Sequence, residues 1–481
     1  MCKNKFRHLV NLILSKIYKL SKLDFKNLLK FFGPAYLIGI GYMDPGNWAT
    51  DLAGGSSFEF KLLWVLAISN VLALFLQSLS SRFGIISGFD LANASRKYYP
   101  RKINFILYLL AEIGISACEL AEIIGMAIGL KLLFGLPLTW GIYITFLDTF
   151  LIFFLVNKSI RRMQIFIIGM ISIISISFIV ELALVKLPWL PIAKGFIPTE
   201  IHGTALFIAL GIIGATVMPH NLYLHSSLVK HHHSEDPAIN LKSSKWVMID
   251  TGFALNIAFL VNLAILILSA VAFHSNGFTK VAELEDAHRL LKQILGSTSS
   301  TLFGIALIAA GQSSTITGTI AGQIIMEGYL EIKIKPWLRR LLTRLLALIP
   351  ASITLYLSGE NSLNSLLIVS QIVLSVQLCF AIIPLLRFNS YLPWMGDLVL
   401  PLFWKVFGWI CISFILFING YYLYSQFHEY LWFHLGINIY GFGLFWIMAI
   451  FSLSLLGYLI CEPFHLKTLK KLDENKKFIE I

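Results

Sequence analysis

Long apolar stretches alternate along the chain with short polar ones that are mostly basic. A helix crossing the hydrocarbon core of a bilayer needs about 20 mostly apolar residues. Twelve stretches meet that need: 33–54, 61–81, 104–134, 138–157, 164–187, 204–229, 247–272, 300–327, 341–358, 363–386, 401–424 and 440–460. The connections between them are too short for a folded domain. Those at 188–203 (Pro188, Pro191, Pro198) and 273–299 read as ordered or short-helical segments on the outer side. The pattern predicts an all-α integral membrane protein with one membrane domain and no soluble module.

Composition agrees. Of 481 residues, 57% are hydrophobic and 13% charged, against about 25% charged in soluble domains. Mean hydropathy is +0.77. Single cores stop growing near ~250–300 residues, so this much apolar surface excludes a soluble enzyme, a disordered chain and a disulfide-stapled scaffold. The five cysteines, Cys2, Cys118, Cys379, Cys411 and Cys461, form no C-x-x-C pair and read as small buried hydrophobes.

The net charge of +12 changes the picture only through its placement. Basic residues flank the apolar runs, where they set topology and touch anionic lipid; nucleic acid is not an expected partner. Arg96, Lys97, Arg101 and Lys102, then Lys158, Arg161 and Arg162, then Lys230, Lys242 and Lys245 fall on the side of the N-terminus. So do Lys333, Lys335, Arg339 and Arg340, then Arg387 and the basic tail. The opposite connections carry few or none. Both termini are therefore expected in the cytoplasm, in a bacterial inner membrane. Residues 8–30 carry no cleavable-leader pattern and read as an amphipathic helix on the membrane surface.

Two spans contain helix breakers. The first holds Gly41-Tyr42-Met43-Asp44-Pro45-Gly46-Asn47, the sixth Gly214-Ala215-Thr216-Val217-Met218-Pro219-His220-Asn221. Proline removes a backbone donor and clashes with the preceding turn. Carbonyls freed at membrane depth survive only in protein or beside a polar cavity. The shared Pro-x-Asn, five spans apart, is the paired interruption that marks a transporter binding site near the midplane. Asp44 offers a carboxylate, Asn47 an amide oxygen, Met218 a thioether, and the backbone near Gly41 and Ala215 free carbonyls. Oxygen alone suits magnesium, calcium and manganese; a thioether among the donors favours Mn²⁺, Fe²⁺ or a heavier ion such as cadmium.

The third span adds Glu112, Glu119 and Glu122 at steps of seven and three, near one helical face. Buried acids on one stripe suit a proton relay, or pairing with basic residues. His220 lies beside the second break and titrates near ~6.5 when unperturbed; metal binding, proton passage and satisfaction of a backbone group all remain open to it. The hydroxyl-rich stretch Gln312–Thr319 suits close helix packing. Asn256, Asn262, Gln77 and Arg82 suit interhelical hydrogen bonds or gates, Asn419 an outer vestibule, and His231-His232-His233 a solvated loop.

Asp44-Pro45-Gly46-Asn47, Met218-Pro219-His220 and the run from Gly311 through Gly322-Gln323 together resemble the Nramp family of proton-coupled divalent-metal transporters, of the bacterial manganese type. The resemblance covers about Gly33 to Tyr424. It implies a LeuT-like fold of two inverted five-helix repeats with broken helices 1 and 6, and metal–proton symport. Carried over by position, it makes Asp44, Asn47, Met218 and the Ala215 carbonyl metal ligands, and lets Gln371 complete the site in some states. It assigns Glu122 and His220 to the proton-linked region, with Glu119 and Arg344 further along a polar route to the cytoplasm. Glu119 departs from an Asp common in the family, Ala35 from a glycine, and a twelfth span from relatives with eleven.

The expected organisation is a basic segment at 1–30, a transport core at 31–400 (repeats 31–190 and 200–390), two added helices at 401–465 and a tail at 466–481. The chain is expected to act as a monomer without a cofactor, with the divalent ion as substrate and the proton as coupling ion. An amino-acid symporter of the same fold is disfavoured because Asp44 repels a carboxylate. A magnesium carrier should lack the Met218 sulfur, and a metalloenzyme would need H-E-x-x-H or a nucleophile with its base. Paired breaks favour alternating access over a channel.

Overall fold

The computed structural model describes residues 33–147, 160–279, 283–359, 362–433 and 450–460. The expected segments 1–30 and 466–481 lie outside these residues, as do much of the fourth and the first part of the twelfth expected span.

The first expected span is two helices, α1 (Pro34–Gly41) and α2 (Pro45–Phe58). Then come α3 (Leu63–Ser87), the short α4 (Leu91–Tyr98), the long α5 (Arg101–Phe134), α6 (Leu138–Ile144) and α7 (Ile160–Ala183). Segment 188–203 contains α8 (Trp189–Lys194). The sixth expected span is again split, into α9 (Thr204–Thr216) and α10 (Pro219–Val229). Next are α11 (Pro237–Ala272), the amphipathic α12 (Leu284–Leu295) and α13 (Ser297–Leu330). The chain continues through α14 (Pro336–Ser358), α15 (Ser362–Asn389), α16 (Leu402–Phe433) and α17 (Ile450–Ile460).

Local chemistry sets these boundaries. Proline opens α1, α2, α10, α11 and α14, where its missing N–H costs nothing and its fixed φ suits a first turn. Asp44, Asp90 and Asp236 cap α2, α4 and α11 by accepting from the backbone N–H of Asn47, Asn93 and Ala238. Among the described residues, nine helical segments are long and apolar enough to cross a membrane. The first break explains part of the difference from twelve: α1 and α2 are each too short alone, whereas α9 and α10 together still count as one span.

The second half repeats the order of the first. Broken pair α1/α2, then α3, α5, α6 and α7, is matched by broken pair α9/α10, then α11, α13, α14 and α15. The pairs are the first and sixth spans, an odd step apart, so the two broken helices cross in opposite senses. Around them α5 packs on α13, α14 and α15, while α11 packs on α1, α2 and α3. Outer faces expose Ile165, Ile179, Ile349 and Phe417, the apolar surface a lipid-facing helix presents.

Three charges differ from expectation. Arg339 and Arg340 are not loop residues: Pro336 starts α14 early enough to carry both inside, where they are 2% and 0% exposed. Arg387 lies in the last turn of α15, buried, with its guanidinium on the Leu459 carbonyl and the Tyr98 hydroxyl. The basic bias of the connection before α14 therefore rests on Lys333 and Lys335, and the connection after α15 carries no basic residue. Asn419 is also buried: its amide donates to the Ser375 and Ile415 carbonyls, so it joins α16 to α15 and faces no vestibule.

Candidate metal and proton site

At the first break α1 ends at Gly41, and Asp44 turns the chain into α2. Asp44 Oδ1 accepts from the Asn47 N–H at 2.7 Å. The Asn47 amide nitrogen reaches back to the Tyr42 carbonyl, which also accepts from Asn262 Nδ2 at 3.0 Å. One of the freed carbonyls is thus already occupied by two amides. The same bonds leave Asp44 Oδ2 and Asn47 Oδ1 buried, without hydrogen-bond partners among the described residues.

At the second break α9 ends at Thr216, so the Ala215 carbonyl falls outside the helical ladder. Met218 follows in extended backbone and is fully buried. Its sulfur lies 3.6 Å from Asn221 Nδ2. Asn221 in turn faces Gly41, where an added Cβ would sit 2.7 Å from that amide nitrogen. Gln371 closes the other side: its side chain presses on Gly46, its backbone carbonyl on Gly214, and its Oε1 has no hydrogen-bond partner among the described residues. Gln371 thus lies against Gly46 of the first break and Gly214 before the second, and Asn221 links Met218 to Gly41; Asp44, Asn47, Met218 and Gln371 are the candidate donors, with Gly41 and Ala215 at the helix ends.

An unpaired buried oxygen costs several kcal/mol less when a cation takes it up than when it stays bare. Three such oxygens and a thioether are the donor types that suit a divalent ion of intermediate softness. No three His, Cys, Asp or Glu side chains converge as a metal site among the described residues. One carboxylate with neutral donors suits an ion that is bound and released rather than held.

Glu122 stands one turn from Gly125, the residue against which Pro45 packs. Ser314 and Thr315 donate to its two oxygens at 3.0 and 2.8 Å. The hydroxyl-rich stretch of α13 thus serves Glu122 directly. Arg344 approaches Glu122 at 3.8 Å and donates to the Thr145 carbonyl at 3.0 Å. Glu119 accepts from Thr343 at 2.6 Å and lies 4.0 Å from Arg340, which also bonds the Thr315 carbonyl and the Thr319 hydroxyl. Glu112 takes Arg339 in a two-pronged contact of 2.7 and 2.8 Å. The three acids of α5 therefore face three arginines of α14, rung by rung.

His220, at the start of α10, is 2% exposed, and neither ring nitrogen has a hydrogen-bond partner among the described residues. Gln77 links the Tyr42 hydroxyl (2.9 Å) to His225 Nδ1 (2.9 Å), tying α3 and α10 to the first break. Asn256 accepts from Asn70. Arg82 bonds Asn389 and the Leu398 carbonyl. His231 and His233 are exposed, and His233 bonds the Ile85 carbonyl.

From the sequence Arg339 and Arg340 read only as loop charges, and the buried acids Asp51, Glu181 and Asp250 were not singled out. The signal for those three acids was present: each is a carboxylate inside an apolar span.

A family model described as natural resistance-associated macrophage protein-like, Nramp, matches residues 35–425. The chain is 49% identical over 405 residues to the divalent metal cation transporter MntH of Listeria welshimeri, covering 83% of this chain and 90% of that one. Against the MntH of a Nostoc species it is 48% identical over 403 residues, with 83% and 91% covered. A crystal structure of a mutant Eremococcus coleocola manganese transporter matches with a TM-score of 0.81 at 32% identity, covering 94% and 96%. Mhp1, a nucleobase-cation-symport-1 family transporter, matches with a TM-score of 0.57 at 14% identity, a likeness of fold alone. The helical, LeuT-like architecture is common to these structures and this chain.

Proposed function

Because the chain belongs to the Nramp family, a family of transporters rather than enzymes, we propose that it imports divalent transition metal ions, Mn²⁺ first and Fe²⁺ and Cd²⁺ with it, coupled to proton movement by alternating access. What supports this reading is that Asp44, Asn47 and Gln371, on or against the two helix breaks, each keep a buried oxygen without a partner among the described residues, with the Met218 thioether at the second break. Asp44, Asn47, Met218 and Gln371 hold the ion, with carbonyls of Gly41 and Ala215 available as coordination changes. The sulfur selects against calcium and magnesium, which prefer oxygen throughout.

A divalent ion beside Asp44 disfavours a proton on the same carboxylate. The released proton passes to Glu122 or His220 and then along Glu119 and Glu112, where the arginines of α14, Arg344 included, balance each acid. Rocking of the broken-helix bundle against the rest opens the site to one face at a time. The chain works as a monomer in the cell membrane with both termini cytoplasmic, and the core comprises 31–400.

The test is uptake of Mn²⁺, Cd²⁺, Mg²⁺ and Ca²⁺ into liposomes, with and without an inward proton gradient. Mn²⁺ and Cd²⁺ should enter with protons, and Asp44→Ala should abolish both movements. Metal-linked proton uptake that survives Asp44→Ala would refute the reading, as would equal transport of calcium and magnesium by the intact protein.

A further inference from the structure

The acid Asp250 lies on α11, is 0% exposed and plays no part in the site above. Its Oδ2 accepts from the backbone N–H of Ala35 at 3.1 Å and of Gly33 at 3.4 Å. These are the first backbone donors of α1, since Pro34 has none. The residue before α1 is a glycine with no side chain to cap it, so the cap comes from a helix some two hundred residues away in sequence. One turn along α11, Ala254 meets Gly39, where an added Cβ would lie 3.0 Å from the Ala254 carbonyl oxygen. At the far end Asn262 donates to the Tyr42 carbonyl just beyond α1. Helix α11 thus satisfies α1 at both termini and packs on its middle.

An eight-residue helix is too short to be stable alone, so α1 keeps its shape and place through this cradle. We propose that Asp250 is a positioning residue for transport: its trans-cap latches α1, the inner half of the first broken helix, against α11 and so holds the cytoplasmic side of the site closed. Release of α1 opens that side and leaves two backbone donors and a carboxylate to be solvated by incoming water. The proposal rests on the alternating-access reading for its consequence, while the latch itself is read without transport.

The test uses the full chain with its five cysteines replaced by alanine and a single Ala258→Cys. Ala258 is 1% exposed and lies on α11 between Ala254 and Asn262. Labelling by a membrane-impermeant maleimide is timed in right-side-out and inverted vesicles. Asp250→Ala should raise the rate about threefold to tenfold from the cytoplasmic face only, the scale of a lost helix cap. Asp250→Asn, whose amide oxygen still accepts, should stay within about twofold of the parent. If the alanine variant fails to reach the membrane, Asp250→Ser, with a hydroxyl too short to reach Ala35, is read in the same way. An unchanged rate, or a rise of equal size from both faces, overturns the latch. Labelling needs no metal flux, so failure of the transport reading would show in uptake and leave this result standing.

Discussion

Gln371 lays its side chain directly on Gly46, the residue after the proline in the first break, so that a methyl group there would overlap the amide. The contact joins α15 to the broken helix and fixes where the Gln371 amide can lie. Gly46→Ala forces this side chain off its rotamer or shifts α2, at about 1–3 kcal/mol for overpacking. We expect Mn²⁺ uptake to fall roughly tenfold. The double variant with Gln371→Ala should be no slower than Gln371→Ala alone, because the clash has gone. Initial uptake rates at matched protein amounts decide this; losses that multiply would show that the two residues act separately.

Met218 supplies a buried sulfur at the second break. Met218→Ala should cost Cd²⁺ uptake at least about tenfold and Mn²⁺ less, because the softer ion gains more from a thioether. Calcium and magnesium should begin to compete. Competition of each ion against Mn²⁺ uptake measures the change; an unaltered order of preference would remove sulfur from the selectivity.

Glu122→Gln keeps the side chain's size and an oxygen for the Ser314 or Thr315 hydroxyl while removing its capacity to carry a proton. Mn²⁺ uptake should persist at reduced rate and lose its response to an inward proton gradient, followed with a pH-sensitive dye in the lumen. Arg344→Ala acts differently. It takes a cation from a fully buried acid, a loss of about 3–5 kcal/mol where a buried pair is broken from one side, and should lower the melting temperature in detergent. A Glu122→Gln/Arg344→Ala pair should recover part of that stability.

Outside the membrane the arithmetic is different. Arg96 holds the fully exposed Glu331 carboxyl below its usual range. A lowered value means that any stabilisation exists above the unfolded carboxylate's ~4.3. It is lost as pH falls through the lowered value. Solvent screening makes such a pair worth almost nothing. Arg96→Ala should therefore leave the melting temperature unchanged between roughly pH 5 and 8; a clear drop would mean that the link between α4 and the end of α13 matters structurally.

Much of the site was legible because its signals are local. Asp-Pro-Gly and Met-Pro-His break a helix wherever they stand, and an acid in an apolar run is visible without a partner. The partners were not legible. Arg339 and Arg340 read as loop charges because a span counted by hydropathy begins after them, whereas the helix begins at Pro336. Asp250 marks no motif, since the helix end it caps lies far off in sequence. The hydroxyls of α13 read as packing residues because nothing in their spacing says that Ser314 and Thr315 face Glu122. Pairings across the fold, and not residue types, were what sequence reasoning lacked.

The facing rows of Glu112, Glu119 and Glu122 with Arg339, Arg340 and Arg344 have an electrical consequence. Three formal negatives oppose three formal positives, so the strip is neutral overall and resembles a stack of transverse dipoles. The resting membrane voltage exerts little net pull on such an arrangement. A proton travelling along it is an excess charge, and the field acts on that charge at about 2.3 kcal/mol per 100 mV for a full crossing. On the proposed proton route, that neutrality would let the voltage act on the proton alone and leave the strip in place.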